Sequence, residues 1–397
     1  MSKTFDAFLS DALEEIELAG LTRRLTPLET PQLPLVRRGD VMVVNFSSND
    51  YLGLAAHPAL RDAAMGEWER GGFGSGASRL ICGTMTAHED LEVSIARFKR
   101  TPAALAFHSG YAAALGTIPA ICGKNDVIIM DKLSHACLID AARLSGAVLR
   151  VFPHNDLNKL ESHLAWASRK HPQARVLIVV ESVYSMDGDL AKVAELLKLA
   201  HQYDALILID DAHGFGVLGQ HGFGILEHAG IQNTNEAAAR IIYIGTLGKA
   251  AGISGAFVAG HKTLVEWILQ KGRPYIYTTA SPPAIAHGLL KSLELISDDS
   301  YRTSLNHNIQ YWKKTLRLKK WGLMPSDTAI QPIMIGKTED ALRVAQQLYQ
   351  KNIWVPAIRP PTVPADTARL RITFSASHTT EQIDQLTQAL MEIEDGL

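Results

Sequence analysis

The chain has 397 residues, 47% of them hydrophobic and 20% charged, with a formal net charge of −2; it can bury a large core, as two domains or as one large domain with an appendage. A charge so near zero gives no general attraction to nucleic acid or acidic lipid, so any anionic ligand has to be held by a local arrangement. The three cysteines, Cys82, Cys122 and Cys137, form no CxxC pair, which argues against a disulfide scaffold or a metal site and leaves small buried thiols in a reducing compartment as the expectation.

In chain order, the opening "MSKTFDAFLSDALEEIELAG" is acidic and amphipathic and lacks the basic start and apolar centre of a signal peptide. No apolar run approaches the roughly 20 residues that span a membrane, so a soluble cytoplasmic protein is expected. A strand at "VMVVNF" follows. From about residue 50 to 285, short β-branched runs alternate with Ala/Leu-rich stretches of helical period. The strands are expected at 103 to 108, 126 to 131, 147 to 152, 175 to 182, 205 to 211, 241 to 245 and 255 to 260, with helices such as "DLAKVAELLKLAHQY" between them. That pattern predicts an α/β fold, a mostly parallel sheet covered by helices. After "SPPAIAHGLLKSLELI" the texture changes to helices and isolated strands ending in "ARLRITF". A smaller α+β domain is therefore expected over 286–397, with residues 1–49 packing against it and 50–285 forming the large domain.

In open α/β sheets ligands gather beyond the carboxyl ends of the strands, and four such positions carry suggestive groups. In "HSGYAAALGT" Ser109, Gly110 and Tyr111 open a helix; its exposed N–H groups and dipole suit a phosphate, Gly110 permits close approach and Tyr111 offers a ring face. A plain helix cap would also explain Ser-Gly. In "DKLSHACLIDA" His135 follows a strand that ends at Asp131, although a lone histidine is more often solvated or a satisfied core residue than a ligand-facing group. In "ALILIDDAHGFG" an apolar strand runs into Asp210, Asp211 and His213. A carboxylate buried there needs a cation or a donor to meet it, and Asp211 is read as a turn or helix-capping residue. In "IIYIGTLGKAAGISG" Lys249 stands alone among glycines and alanines, where a planar ligand can approach and desolvation would make the amine nucleophilic; an exposed loop lysine is the plain alternative.

A phosphate cradle, a ring partner, a carboxylate and a reactive lysine are together the parts needed to hold pyridoxal 5′-phosphate (PLP). The order "SGY", "LSHACLID", "ESVYSMDGD", "DDAHGFGVLG" and "GTLGKAAGISG" resembles the α-oxoamine synthases, fold-type-I PLP-dependent transferases that condense an amino acid with an acyl thioester and release carbon dioxide. The resemblance runs from "NFSSNDYLGL" to "ARLRITFSASH". Within that family "AIRPPTVPADTARLRIT" is similar to the members that join L-alanine to a pimeloyl thioester, carried by CoA or a carrier protein, in biotin synthesis. "GASRLICGTMTAHEDLE" is also similar to members that use glycine and acetyl-CoA.

The resemblance implies that Lys249 is the Schiff-base lysine and the base at Cα, and that Asp210 pairs with the pyridine nitrogen. It further implies that His213 bonds the ring hydroxyl and that His135 stacks on the cofactor and supports the substrate. Gly110, Tyr111, Ser185 and Thr246 would complete the cofactor pocket. Asn49 and Arg371 match the positions that bind the amino-acid carboxylate, and Arg23, Arg359 and Thr362 match acyl-thioester positions, with Arg24 adjoining Arg23. Strand alternation puts Arg369 on the same face as Arg371, where it could serve structure instead. The family's site lies at a homodimer interface, and either Thr278 or Thr279 matches the segment that reaches a neighbour's phosphate. A fold-type-I aminotransferase would share the lysine and aspartate but need no thioester, and a silent binding subunit would be expected to lack the lysine.

Overall fold

Strands β1 (Leu35–Arg38) and β2 (Val41–Asn45) form an antiparallel pair ahead of the main sheet. The computed structural model describes residues 2–23, 25–231 and 239–396, so Arg24 lies outside the described residues. The main sheet contains β3 (Ala103–Phe107), β4 (Val127–Asp131), β5 (Val148–Phe152), β6 (Val176–Glu181), β7 (Leu206–Asp210), β8 (Ile241–Thr246) and β9 (Ala256–Gly260), in the order β3-β9-β8-β7-β6-β4-β5. Neighbours from β5 through β8 run parallel. β9 is antiparallel to both β8 and β3.

Burial on both faces explains why these strands read as continuous apolar runs. Along β4, Val127 and Ile129 point into one core while Ile128 and Met130 point into the other, and β6 and β7 alternate in the same way. The chain goes from β4 outward to β5, then returns to place β6 on the opposite side of β4. Such a reversal opens a crevice at the carboxyl ends of β4 and β6, and the residues that follow β4, β6, β7 and β8 converge there.

Four further strands, β10 (Gly322–Leu323), β11 (Ile330–Gly336), β13 (Ala357–Ile358) and β14 (Ala368–Thr373), make a second sheet in the order β10-β11-β14-β13. The short β12 (Ile353–Trp354) pairs parallel with β2, which joins the early strand pair to the carboxyl-terminal part of the chain. The helix Lys3–Leu18 buries none of its residues, and Phe5, Phe8 and Leu13 on it are exposed. Cys122 and Cys137 are buried, but Cys82 is exposed, which corrects the expectation of three buried thiols. Among the described residues no helix is long and apolar enough to cross a membrane.

Candidate active site

Lys249 follows β8 in a loop closed by a hydrogen bond from Gly252 N to the Lys249 carbonyl at 2.8 Å. Gly252 has φ +73, and a Cβ there would stand 2.6 Å from the Leu54 carbonyl carbon. Only glycine lets the loop pack that tightly, so the backbone of 52–55 fixes where the lysine emerges. Desolvation lowers the Lys249 pKa to about 8, with Asp210 and Glu181 pulling the other way.

From Lys249 a line of hydrogen bonds crosses the site. Lys249 Nζ lies 2.8 Å from His213 Nε2, and His213 Nδ1 lies 2.5 Å from the Tyr51 hydroxyl. Tyr51 donates to Asn49 Oδ1 at 3.2 Å, and the same oxygen accepts from Arg371 Nη2 at 3.1 Å. Burial drives the His213 pKa well below its ordinary value, and the nearby Lys249 and Arg371 charges push it the same way. A neutral imidazole that accepts from Lys249 at Nε2 carries its proton on Nδ1 and donates it to Tyr51. Arg371, in β14, also donates through Nε to the Ser185 carbonyl at 2.5 Å and through Nη1 to Thr373 Oγ1 at 3.1 Å.

Asp210 ends β7, buried, with Oδ1 accepting the Ala212 N–H at 3.0 Å. Burial raises its pKa, and the Lys249 charge opposes that rise. Its neighbour in register is Glu181, the last residue of β6, whose pKa burial and the Asp210 charge push well upward. Glu181 Oε1 accepts the backbone N–H of His135 at 2.5 Å. The exposed His135 ring is steadied by its Nδ1, which accepts from Cys137 N at 3.2 Å. Asp211 opens the following turn through its carbonyl, which accepts Gly214 N at 3.1 Å and Phe215 N at 2.8 Å, and its fully buried side chain is paired with Lys99 Nζ at 2.8 Å. That partner neutralises Asp211 and leaves Asp210 as the carboxylate facing the crevice.

Ser109 caps the helix Gly110–Ile121 through its Oγ, which accepts Ala112 N at 3.1 Å. A Cβ on Gly110 would meet nothing within 4 Å, so the space in front of this helix start is open and its first N–H groups are available to an anion. Tyr111 is 44% exposed and its hydroxyl donates to the Asp140 carboxylate. Thr246 ends β8, with its Oγ1 donating to the Gly255 carbonyl at 3.2 Å. Thr278 and Thr279 line a cavity with Arg79, His88, Leu247 and Ser254, beside the lysine loop rather than on Lys249 itself.

A planar cofactor fits these groups. Asp210 is a buried carboxylate with a single hydrogen bond among the described residues, a deficit that a pyridinium N–H would satisfy. The residues expected on the acyl side stand apart from the hydrogen-bonded line. Arg359 Nη2 donates to the Gly20 carbonyl at 2.8 Å, Thr362 N donates to the Arg359 carbonyl at 3.0 Å, and Arg23 and Thr362 are exposed. Sequence reasoning missed Tyr51 and Glu181. Tyr51 lies two residues beyond Asn49 in "NFSSNDYLGL", and Glu181 occupies the strand-end position that had drawn attention to Asp210. Strand ends searched for every carboxylate would have found the second.

The family model for Aminotransferase class I and II matches residues 41–390. The chain is 48% identical over 395 residues to an 8-amino-7-oxononanoate synthase from Janthinobacterium sp. (strain Marseille), with 98% of each chain covered. It superposes on a serine palmitoyltransferase from S. paucimobilis with bound PLP–myriocin aldimine at a TM-score of 0.89 and 27% identity, covering 99% of this chain and 98% of the other. The crystal structure of 8-amino-7-oxononanoate synthase from Francisella tularensis gives a TM-score of 0.75 at 29% identity, covering 89% and 98%. The chain therefore belongs to the class I and II aminotransferase family, and within it to the 8-amino-7-oxononanoate synthases.

Proposed function

We propose that this PLP-dependent C-acyltransferase joins L-alanine to a pimeloyl thioester, carried by CoA or a carrier protein, with loss of carbon dioxide, forming 8-amino-7-oxononanoate for biotin synthesis. The observation that carries the reading is the line Lys249–His213–Tyr51–Asn49–Arg371. It sets an amine of lowered pKa and a buried guanidinium on one wall, matching the amino and carboxylate ends of an amino acid.

PLP, when bound, supplies an aldehyde for amines and a ring that takes up an electron pair. Asp210 would hold the ring nitrogen and His213 the ring hydroxyl, with His135 beside the ring face. Gly110, Tyr111, Ser185 and Thr246 would complete the pocket, and Thr278 or Thr279 of a second copy the phosphate contacts, in a homodimer. With its pKa lowered to about 8, Lys249 has a sizeable neutral fraction near neutral pH, which an ordinary lysine lacks, and can take the Cα proton. Arg371 and Asn49 orient the carboxylate. Arg23, Arg359 and Thr362 receive the thioester, Arg359 from a Pro-rich turn whose fixed φ angles limit the ordering cost of binding. The pimeloyl chain ends in a carboxylate that a guanidinium can hold. The chemistry is expected to occur in the cytoplasm, in a chain divided into the segment 1–49, a large domain 50–285 and a small domain 286–397.

The test follows thiol release from PLP-loaded protein. L-Alanine with pimeloyl-CoA should give free thiol and a product of the mass of 8-amino-7-oxononanoate, and glycine with acetyl-CoA much less. A preference for glycine and acetyl-CoA, or amino transfer to keto acids without a thioester, refutes the reading.

A further inference from the structure

The turn from Val183 to Leu190 leaves β6 and joins the main sheet to the second sheet. It is closed by the Val183–Leu190 bridge and by Gly188 N donating to the Tyr184 carbonyl at 2.7 Å. Consecutive residues on it grip the second sheet. The Ser185 carbonyl accepts from Arg371 Nε, Asp187 Oδ1 pairs with Arg369 Nη1 at 2.7 Å, and the Gly188 carbonyl accepts from Ser326 Oγ at 2.9 Å and Thr328 Oγ1 at 3.1 Å. Gly188 has φ +74, and a Cβ there would stand 2.4 Å from the Ile330 carbonyl oxygen. A side chain at that position would push the turn off the sheet.

The root of the turn is fastened by His154. Its Nε2 lies 2.7 Å from Asp189 Oδ2 and its Nδ1 lies 3.1 Å from Asp131 Oδ1. Asn155 reinforces both ends, donating from Nδ2 to Asp189 Oδ2 at 2.9 Å and from its backbone to Asp131 Oδ2 at 2.9 Å. The Tyr184 ring packs edge-on against the imidazole at 4.3 Å between centroids. An imidazole with a carboxylate at each nitrogen donates from both and is the cation. Burial opposes that charge, but the two carboxylates outweigh it and raise the pKa to about 10. Asp131 also accepts from Leu133 N at 2.8 Å, in the loop that leads to His135.

We propose that His154 is a positioning residue for amino-acid binding: by tying Asp131 to Asp189 it fixes the turn whose Ser185 carbonyl sets the Arg371 guanidinium. The inference rests on the reading of Arg371 as the group that holds the amino-acid carboxylate. Arg371 spends Nε on Ser185 and Nη1 on Thr373, so the direction of its remaining donors follows the position of the turn. A fork that must meet a carboxylate in a fixed geometry loses affinity when its anchor shifts.

The experiment measures L-alanine affinity of PLP-loaded His154→Gln by spectral titration, together with the KM for pimeloyl-CoA. Backbone hydrogen exchange across 184–189 is followed in the apoprotein. L-Alanine affinity should fall about ten-fold, the size of one charge-assisted contact, while the thioester KM stays close to that of the parent and exchange in the turn quickens. Asp189→Ala removes the acceptor of this tie with His154 in place and should reproduce this split. In an Arg371→Ala background His154→Gln should cost nothing more, because the two act through one contact. Unchanged L-alanine affinity in His154→Gln and Asp189→Ala, when Arg371→Ala loses it, overturns the inference and spares the Arg371 reading. Additive losses overturn it as well. Unchanged affinity in Arg371→Ala itself removes the carboxylate reading and this inference with it.

Discussion

The residues proposed for the amino acid and those proposed for the acyl thioester are held differently. At the amino-acid end the groups are already paired: Asn49 Oδ1 takes both Tyr51 and Arg371, His213 sits between Tyr51 and Lys249, and Arg371 is 5% exposed with three of its nitrogens bonded. At the proposed acyl end Arg23 and Thr362 face solvent, and among the described residues the Arg359 guanidinium has one hydrogen bond, to the Gly20 carbonyl. One group is preorganised by the chain's own contacts, and the other makes few of them. A small substrate with few atoms can offer little binding energy for ordering, so on the proposed function a rigid site for the amino acid and an adaptable one for a long acyl chain would follow from the sizes of the two substrates.

The largest effect should come from removing the amine at the rigid end. Lys249→Ala should lower kcat by at least about a thousand-fold, within the range for loss of a general base, and borohydride reduction of the PLP-loaded parent should label Lys249 in the peptide map. Label on another lysine would break the assignment. Asp210→Asn keeps the shape but removes the charge proposed to face the ring nitrogen. It should retain cofactor by absorbance while losing about 3 kcal/mol of transition-state stabilisation, comparable to other preorganised electrostatic contacts; near-parental turnover would mean that the charge does not matter. Because Asp211 is already committed to Lys99, it should not substitute.

Arg359→Ala tests the adaptable end. It should raise the KM for pimeloyl-CoA about ten-fold, the loss of one charge-assisted contact, and leave the L-alanine spectral change intact. Equal losses for both substrates would erase the contrast between the two ends. The smallest effect concerns pH and the His154 tie. The folded pKa of about 10 lies above the ordinary histidine value of 6.5, so folding takes up a proton and the stabilisation is full below about pH 6.5. It declines as pH rises toward 10. The groups facing the imidazole are Asp131, Asp189, the Tyr184 ring and Asn155, whose carbonyl accepts from Lys192 Nζ. The melting-temperature advantage of the parent over His154→Gln should therefore be largest near pH 6 and shrink toward pH 10, and an advantage that grows with pH would contradict a charged imidazole.

Much of the main sheet was legible because its strands are buried on both faces and read as β-branched runs. The expected segments 126 to 131 and 205 to 211 overlap β4 and β7 with ends differing by a residue. The lysine was legible for a related reason: Gly248, Ala250 and Ala251 around Lys249 leave no other chemistry in the loop. Tyr51 was not legible, since a tyrosine among polar loop residues carries no sign of the histidine 162 residues away that it meets. The side-chain partner of Asp211 was hidden for the same reason, its cation lying 112 residues earlier in a helix of ordinary amphipathic pattern.

The sequence by itself determined which side chains stand at the carboxyl ends of buried strands, because apolar periodicity and small-residue loops are local properties. Which of those ends lie side by side was decided only by the tertiary structure. Strand order puts Glu181 against Asp210, packing of the second sheet brings Arg371 to Asn49 across 322 residues, and His154 reaches both Asp131 and Asp189 from the loop after β5. These pairings depend on how far-separated segments close on one another, and hydrophobic period carries no record of that closure.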